Sequence, residues 1–371
     1  MFKYDFQKKD FLYGGIITAI IGLIALVLAL IGINTGAFDP LGQALENFHL
    51  SDGFFYFLNT QAKKNNATPD ANPGVVLVDI KDCDSREEIA DIINLIKEAS
   101  PRLLAVDIIM GEAASVTSEG DSALISALTG WEPEKLLLAQ RMIEGPEEGR
   151  IERSFFADNL VCLEGDVGFN NGTVRSFAPS ESFMGKEYPT FIAQIAKYGG
   201  IKEDFKEQLI NYLPVTTIRL SPDELPANDF LYDQIVILGD SQDLRDFHSI
   251  PVLMDGQART SGMNIIAQSL YTLRPHNGYT DCPRWLALII GILLTYLFCV
   301  FIASPMFRIE HFNGLWISIW QITALVVLIG LTCFLFMWVH FYMTLTYWLI
   351  GVGLSELATE LFYFFKKKSQ R

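Results

Sequence analysis

Three apolar runs of this chain stop at an aspartate: "VVLVD" at Asp79, "LLAVD" at Asp107 and "VILGD" at Asp240. Two further polar groups, Asp246 and His248, follow in "SQDLRDFHSIP". Carboxylate oxygens suit hard cations such as Mg²⁺ or Ca²⁺, and equally a cationic ligand. In an open parallel sheet the carboxyl ends of the strands form the crevice where ligands bind. Asp79, Asp107, Asp240, Asp246 and His248 are therefore the candidate ligand-binding rim. The competing role is structural, because Asp after a strand commonly caps a helix or fixes a turn.

Other chemistry finds little footing. "GDSQDL" is not the GxSxG elbow of hydrolases. No GxGxxG, Walker A or DxDxDG loop follows any strand. His248 and His276 have no Ser or Cys in a recognisable arrangement, so no catalytic residue is assigned and no enzyme is expected. Of five cysteines, Cys299 and Cys333 lie in apolar blocks. Cys83, Cys162 and Cys282 lie outside them, and an odd number leaves at least one without a disulfide partner in the chain. No Cys/His spacing fits zinc, so neither metal nor cofactor is expected.

The elements that must position the rim read as α/β. "GVVLVDI" (74–80), "RLLAVDIIM" (102–110) and "QIVILGD" (234–240) are buried strands. "REEIADIINLIKEAS" (86–100) has apolar residues at helical spacing and stops at Pro101, giving a β-α-β unit whose strands are expected to be parallel neighbours. Helices are also expected at 121–130, with Asp121 as cap and Gly130 as stop, at 190–200 and at 261–273. Residues 134–143 fit strand or helix, and 144–160 reads as irregular. "NNGT" followed by "VRSFAPS" reads as a hairpin turn between short strands. The expected fold is a mostly parallel or mixed sheet with helices on both faces.

Four apolar blocks frame this domain, at 11–34, 285–303, 315–337 and 339–365. The first three carry no charge and are long enough to cross about 30 Å of hydrocarbon as helices. The expected organisation is a tail (1–10), one span, a globular domain (35–283), three spans and a basic tail (366–371). The first block also has the basic start of a signal peptide, but its apolar run is long and "LALIGINTGAF" is a poor cleavage site, so an uncleaved anchor is expected. Lys3, Lys8 and Lys9, Arg308 in the loop between the second and third spans, and Lys366–Lys368 fall on one side of a four-span chain. That side should be cytoplasmic, which puts the 35–283 domain on the outer side of the membrane. The formal charge of −15 is concentrated in that domain, which disfavours nucleic acid as a partner.

The order of several segments resembles the CHASE2 family, the extracytoplasmic sensory domain of bacterial membrane receptors. They are "FHLSDGFFYFLNT", "GVVLVDIKD", "SPRLLAVDIIM", "EGDVGFNNGTVRSFAP", "YPTFIAQIA" and "YDQIVILGDSQDLRDFHSIPVLMDGQARTSGMNIIAQSLYTLRP", with one span before and three after. Asp246, Phe247, His248 and Pro251 fill the family's pattern after its glycine-rich turn, and Gly262, Met263 and Ala267 fill the following helix segment. The resemblance implies sensing of an extracytoplasmic ligand. Members often continue into a cyclase or kinase, whereas this sequence reaches "FFKKKSQR", so output is expected from a separate membrane or cytoplasmic protein. A homo-oligomer is compatible with this organisation, and the rival expectation is an assembly subunit that senses nothing. Gly351, Ser355, Glu356 and Glu360 on the last span are the candidate contact with a partner helix: small residues permit close approach, and carboxylates at membrane depth face protein or water.

Overall fold

The computed structural model describes residues 7–35, 50–64, 74–111, 119–144, 149–169, 172–213, 215–227, 229–254, 257–308, 314–343 and 346–369. Two compact units result: residues 47–278, and 1–46 together with 279–371.

The 47–278 unit is built on seven strands: β1 (Val75–Asp79), β2 (Leu103–Val106), β3 (Leu136–Ile143), β4 (Arg150–Arg153), β5 (Leu163–Asp166), β10 (Ile218–Leu220) and β11 (Ile235–Gly239). Four short strands, β6 (Ser176–Phe177), β7 (Ser180–Phe183), β8 (Lys186–Pro189) and β9 (Gln208–Leu209), lie outside that sheet. The order starts β10-β1-β11-β2-β3, all parallel. Leu137 pairs with Ala105 of β2 and with Leu163 of β5, so β5 takes the far side of β3. Gln140 pairs with both Asp166 of β5 and Arg153 of β4, which puts β4 beyond β2 on its side of β3, antiparallel.

Helices α3 (Arg86–Glu98) and α4 (Glu119–Leu128) cover one face of the sheet, and α5 (Phe191–Tyr198) and α6 (Gly262–Leu273) the other. Val76, Val78, Leu104, Val106, Val236 and Leu238 alternate onto the first face, where they meet Ile89, Ile93, Ile96, Leu124 and Leu128. Burying each such side chain stabilises the fold by roughly 1.5–3 kcal/mol. The caps are legible locally. The Ser85 hydroxyl accepts from the Glu88 amide, while the Glu88 carboxylate accepts from the Asp84 amide, which starts α3. Thr190 accepts from the Ala193 amide at the start of α5. Helix α2 (Leu50–Lys64) is held by Asp52 on Arg175 at 2.8 Å and by Asn59, which donates to the Tyr212 carbonyl.

Several expectations need correction. The β1 and β2 strands are parallel but not neighbours, because β11, arriving late in the chain, inserts between them. Asp121 does not cap α4; it sits in the first turn and pairs with Arg86, while Gly130 does stop the helix region with φ +78°. Residues 136–143 are strand. The stretch read as irregular contains β4, paired to β3, and a short 3₁₀ turn at Ala157–Asn159. Asn170 and Asn171 lie outside the described residues. The hairpin falls later, as β7–β8 turning at Met184–Gly185 with positive φ at both, while β6 pairs with distant β9.

The other unit holds four helices long and apolar enough to cross a membrane: α1 (Lys8–Thr35), α7 (Arg284–Arg308), α8 (Gly314–Val339) and α9 (Thr346–Ser369). The Gln7 amide donates to Asp10, which starts α1. Gly14 allows α1 to touch the Val300 backbone of α7, and Gly291 allows the Trp348 indole of α9 to approach α7. Ile17, Ile21, Cys299, Ala303, Ala358 and Phe362 form the shared core. The last block begins at Thr346, not 339. Before it, β15 (Phe341–Tyr342) pairs in parallel with β14 (Thr280–Asp281), ahead of α7. Lys3 and residues 309–313 of the loop between the second and third spans lie outside the described residues, and α7 extends to Arg308.

Candidate functional site

The register of the central strands decides which rim residues meet. Asp79 pairs with Gly239, and Leu238 with Val106, so Asp79, Gly239 and Asp107 lie in one row on the α5/α6 face. Asp240 lies one residue past the end of β11, outside that row. The three strand-end aspartates therefore do not converge, and among the described residues no group of three His, Cys, Asp or Glu side chains could hold a metal ion.

Each of the five has a distinct setting. Asp79 is buried and fully engaged: it accepts from the Ser241 hydroxyl (2.5 Å) and amide (3.1 Å) and the Lys81 amide (3.3 Å), with Arg219 at 3.5 Å. It ties the end of β1 to the turn after β11. Asp240 accepts from the Gln242 amide at 2.7 Å, a local turn. Asp246 reaches over to α6, where Oδ2 accepts from the Gly262 amide at 2.8 Å and Oδ1 meets His248 Nε2 at 3.3 Å. His248 is the second residue of strand β12 (Phe247–Met254), which pairs with β13 (Gln257–Ser261), and its ring stands edge-on to Phe169 at 4.8 Å. Asp107 donates its amide to Leu238, while its carboxyl Oδ2 is buried without a hydrogen-bond partner.

Asp246 occupies the N-terminus of α6, where orphan amides and the helix dipole favour a negative charge. Ser261 holds the N-cap position but makes no side-chain cap, and its buried hydroxyl has no partner. Gly262 is required here, since a Cβ would fall 2.6 Å from Asp246 Oδ2. Gly239 is also constrained: a Cβ there would meet the Met263 sulfur at 2.7 Å. Burial drives the Asp107 carboxyl well above the ordinary carboxylate range, the Asp246 charge adds to this, and the Arg141 guanidinium opposes it. Arg141 also acts on Asp166 and Asp243. Burial raises the Asp166 carboxyl against the Met142 and Gly168 amides. The Asp243 carboxyl is lowered, first by its bond to Arg245.

The rim thus resolves into the Asp246–His248 pair at the start of α6, with the Asp107 carboxyl under the influence of the Asp246 charge. Asp79 is a clamp and Asp240 a turn residue. Sequence reasoning missed Arg141, Ser241, Arg219 and Ser261. Arg141 alone left a trace, as the one charge in the apolar run "LLLAQRMI".

In the sequence, this sheet, with a helix-terminus group fed by the loop after its central strand, is preceded by one membrane-length helix and followed by another. The model of the CHASE2 domain matches residues 23–302, most of the chain. The chain belongs to the CHASE2 domain family. The CHASE2 match starts inside α1 and ends inside α7, so it takes in the whole 47–278 unit and part of a span on each side. CHASE2 is a sensory domain. No curated protein and no solved structure matches the chain.

The residues assigned to a partner helix are largely used within the chain. Gly351 is buried against Thr295 of α7. The Ser355 hydroxyl donates to the Val352 carbonyl and accepts from Gln321 of α8 at 3.1 Å. Glu356 accepts from Ser318 of α8 at 3.4 Å. Glu360 is exposed. All five cysteines are free thiols.

Proposed function

We propose that this chain is an integral membrane sensor whose CHASE2 domain faces away from the cytoplasm. The domain receives a signal at the α6 terminus, and the spans pass it to a separate protein that makes the output. No catalytic step is assigned to it. The observation that carries this reading is the CHASE2 match framed by membrane-length helices. Connectivity supports the route. Strand β12, which starts beside Asp246 and carries His248, contacts α2, the first described element after α1. Helix α6, on which Asp246 rests, is the last helix before α7. A signal that changes the Asp246 contact therefore acts on the elements nearest in sequence to both flanking spans. Lys8 and Lys9 at the start of α1 and Lys366–Lys368 at the end of α9 share one end of the bundle, where Lys366 Nζ lies 4.5 Å over the Tyr13 ring, and favour a cytoplasmic side for both chain ends.

Orientation is tested by introducing cysteine at the exposed Tyr232 and treating intact spheroplasts with a membrane-impermeant maleimide. Labelling above the parent chain before lysis supports the reading, and labelling only after lysis refutes it. Transmission is tested by purification in mild detergent. A bound kinase or cyclase supports sensing, whereas a stoichiometric partner without any output domain favours assembly.

A further inference from the structure

One face of α9 carries the open stripe Leu349, Gly353, Leu357, Glu360 and Phe364. At about 100° per residue these positions fall within one narrow sector. The opposite sector, with Trp348, Val352, Ser355, Thr359 and Phe362, is buried in the chain's own bundle. Glu360 stands in the open stripe six residues before Lys366, which is about 9 Å inside the basic end at 1.5 Å per residue. Among the described residues no hydrogen bond or ion pair reaches it. A carboxylate facing lipid costs up to about 2.5–3.5 kcal/mol, the figure for the middle of a span. Snorkelling gives poor relief, because helical side chains lean toward the helix N-terminus, and for α9 that is away from the nearby basic end.

We infer that the Gly353–Glu360 face of α9 is the seat of a transmembrane helix from a different polypeptide, one that presents a lysine, arginine or other strong donor at the depth of Glu360. Charge selects this occupant. A second copy docked through the same stripe would set Glu360 against Glu360, with no cation between them. The exposed large side chains on the apolar lengths of α1, α7 and α8, such as Leu23, Leu26, Ile292, Leu293, Val326 and Val327, are hydrocarbon and supply no counter-charge. Gly353 has nothing within 4 Å of a built Cβ, so it leaves room for close backbone approach beside the charge. The inference rests on membrane insertion of α9 and not on ligand sensing, so the two readings fail separately.

The full chain in lipid nanodiscs is titrated with three fluorescent polyleucine helices: one with a lysine at the Glu360 depth, one with the lysine in the opposite leaflet, and one without lysine. The matched-lysine helix should bind about three- to twentyfold more tightly than the other two, as interhelical polar contacts in membranes do. Glu360→Gln should remove that preference, and Gly353→Leu should weaken binding of all three. Phe334→Leu, on the outer face of α8, should change nothing. Equal binding of the three helices, or a preference that survives Glu360→Gln, overturns the inference. So does self-association of the chain that Glu360→Gln abolishes, which would make a second copy the occupant.

Discussion

Substituting Gly262 by alanine tests how the α6 terminus is held. The new methyl would sit 2.6 and 2.7 Å from the two Asp246 oxygens, so the carboxylate must leave the Gly262 amide. A hydrogen bond to a charged group contributes about 1.5–3 kcal/mol, and the helix dipole adds about 0.5 kcal/mol. Alanine returns up to about 1 kcal/mol through lower unfolded-chain entropy and better helix propensity. The net loss is therefore about 2 kcal/mol. For a unit of this size that is a Tm drop of roughly 4–8 °C. The assay is thermal unfolding of the full chain in detergent, with hydrogen exchange at the start of α6 as a local readout. The decisive comparison is a double-mutant cycle. In an Asp246→Ala background the obstructing carboxylate is gone, and Gly262→Ala should cost nothing or stabilise slightly. Equal losses in both backgrounds, or no loss in the parent, would refute the capping role of Asp246.

Asp107→Asn should flatten the pH dependence of stability. The folded-state pKa of Asp107 lies above its unfolded value, so its contribution is fully present in acid and is lost as pH rises through the folded value. The Tm of the variant should gain on the parent as pH rises above the ordinary carboxylate range, and parallel curves would contradict this. Asp79→Ala removes the clamp to Ser241 and should cost about 3 kcal/mol, whereas Asp240→Ala should cost under about 1 kcal/mol. Comparable Tm losses in the two variants would overturn their assignment as clamp and turn residue. Burial pushes the Cys162 thiol up to about 11, so alkylation of Cys162 at pH 7.5 should be roughly a hundredfold slower than that of an ordinary thiol and should accelerate toward alkaline pH.

The strands of this fold were legible because fully buried parallel strands are unbroken apolar runs, as in 75–79, 103–106 and 235–239. Their order was not. Nothing local in "QIVILG" states that it enters between two strands laid down more than a hundred residues earlier, since that choice depends on how both sheet faces fill. The same gap explains the rim. Asp79, Asp107 and Asp240 look equivalent in sequence, yet Asp79 lines up with Gly239, so Asp240 falls one residue past the shared row. Asp246 and Gly262 were visible as family positions, but their dependence on each other exists only where the 240–246 loop crosses the start of α6. On α9, spacing identified a polar face but not its direction. Ser355 and Glu356 turn inward while Glu360 turns out.

The short β14–β15 pairing carries a consequence for where this polypeptide can be cut. The amides of Thr280 and Cys282 find their acceptors in the carbonyls of His340 and Tyr342, and Tyr279 stacks on Phe336 with ring centres 4.4 Å apart. All of those acceptors lie downstream of residue 302, where the family match stops. A fragment ended at that boundary would thus begin its second membrane segment without the acceptors of two amides and without the ring that stacks on Tyr279. The third and fourth spans are in this sense a buttress for the doorway into the second.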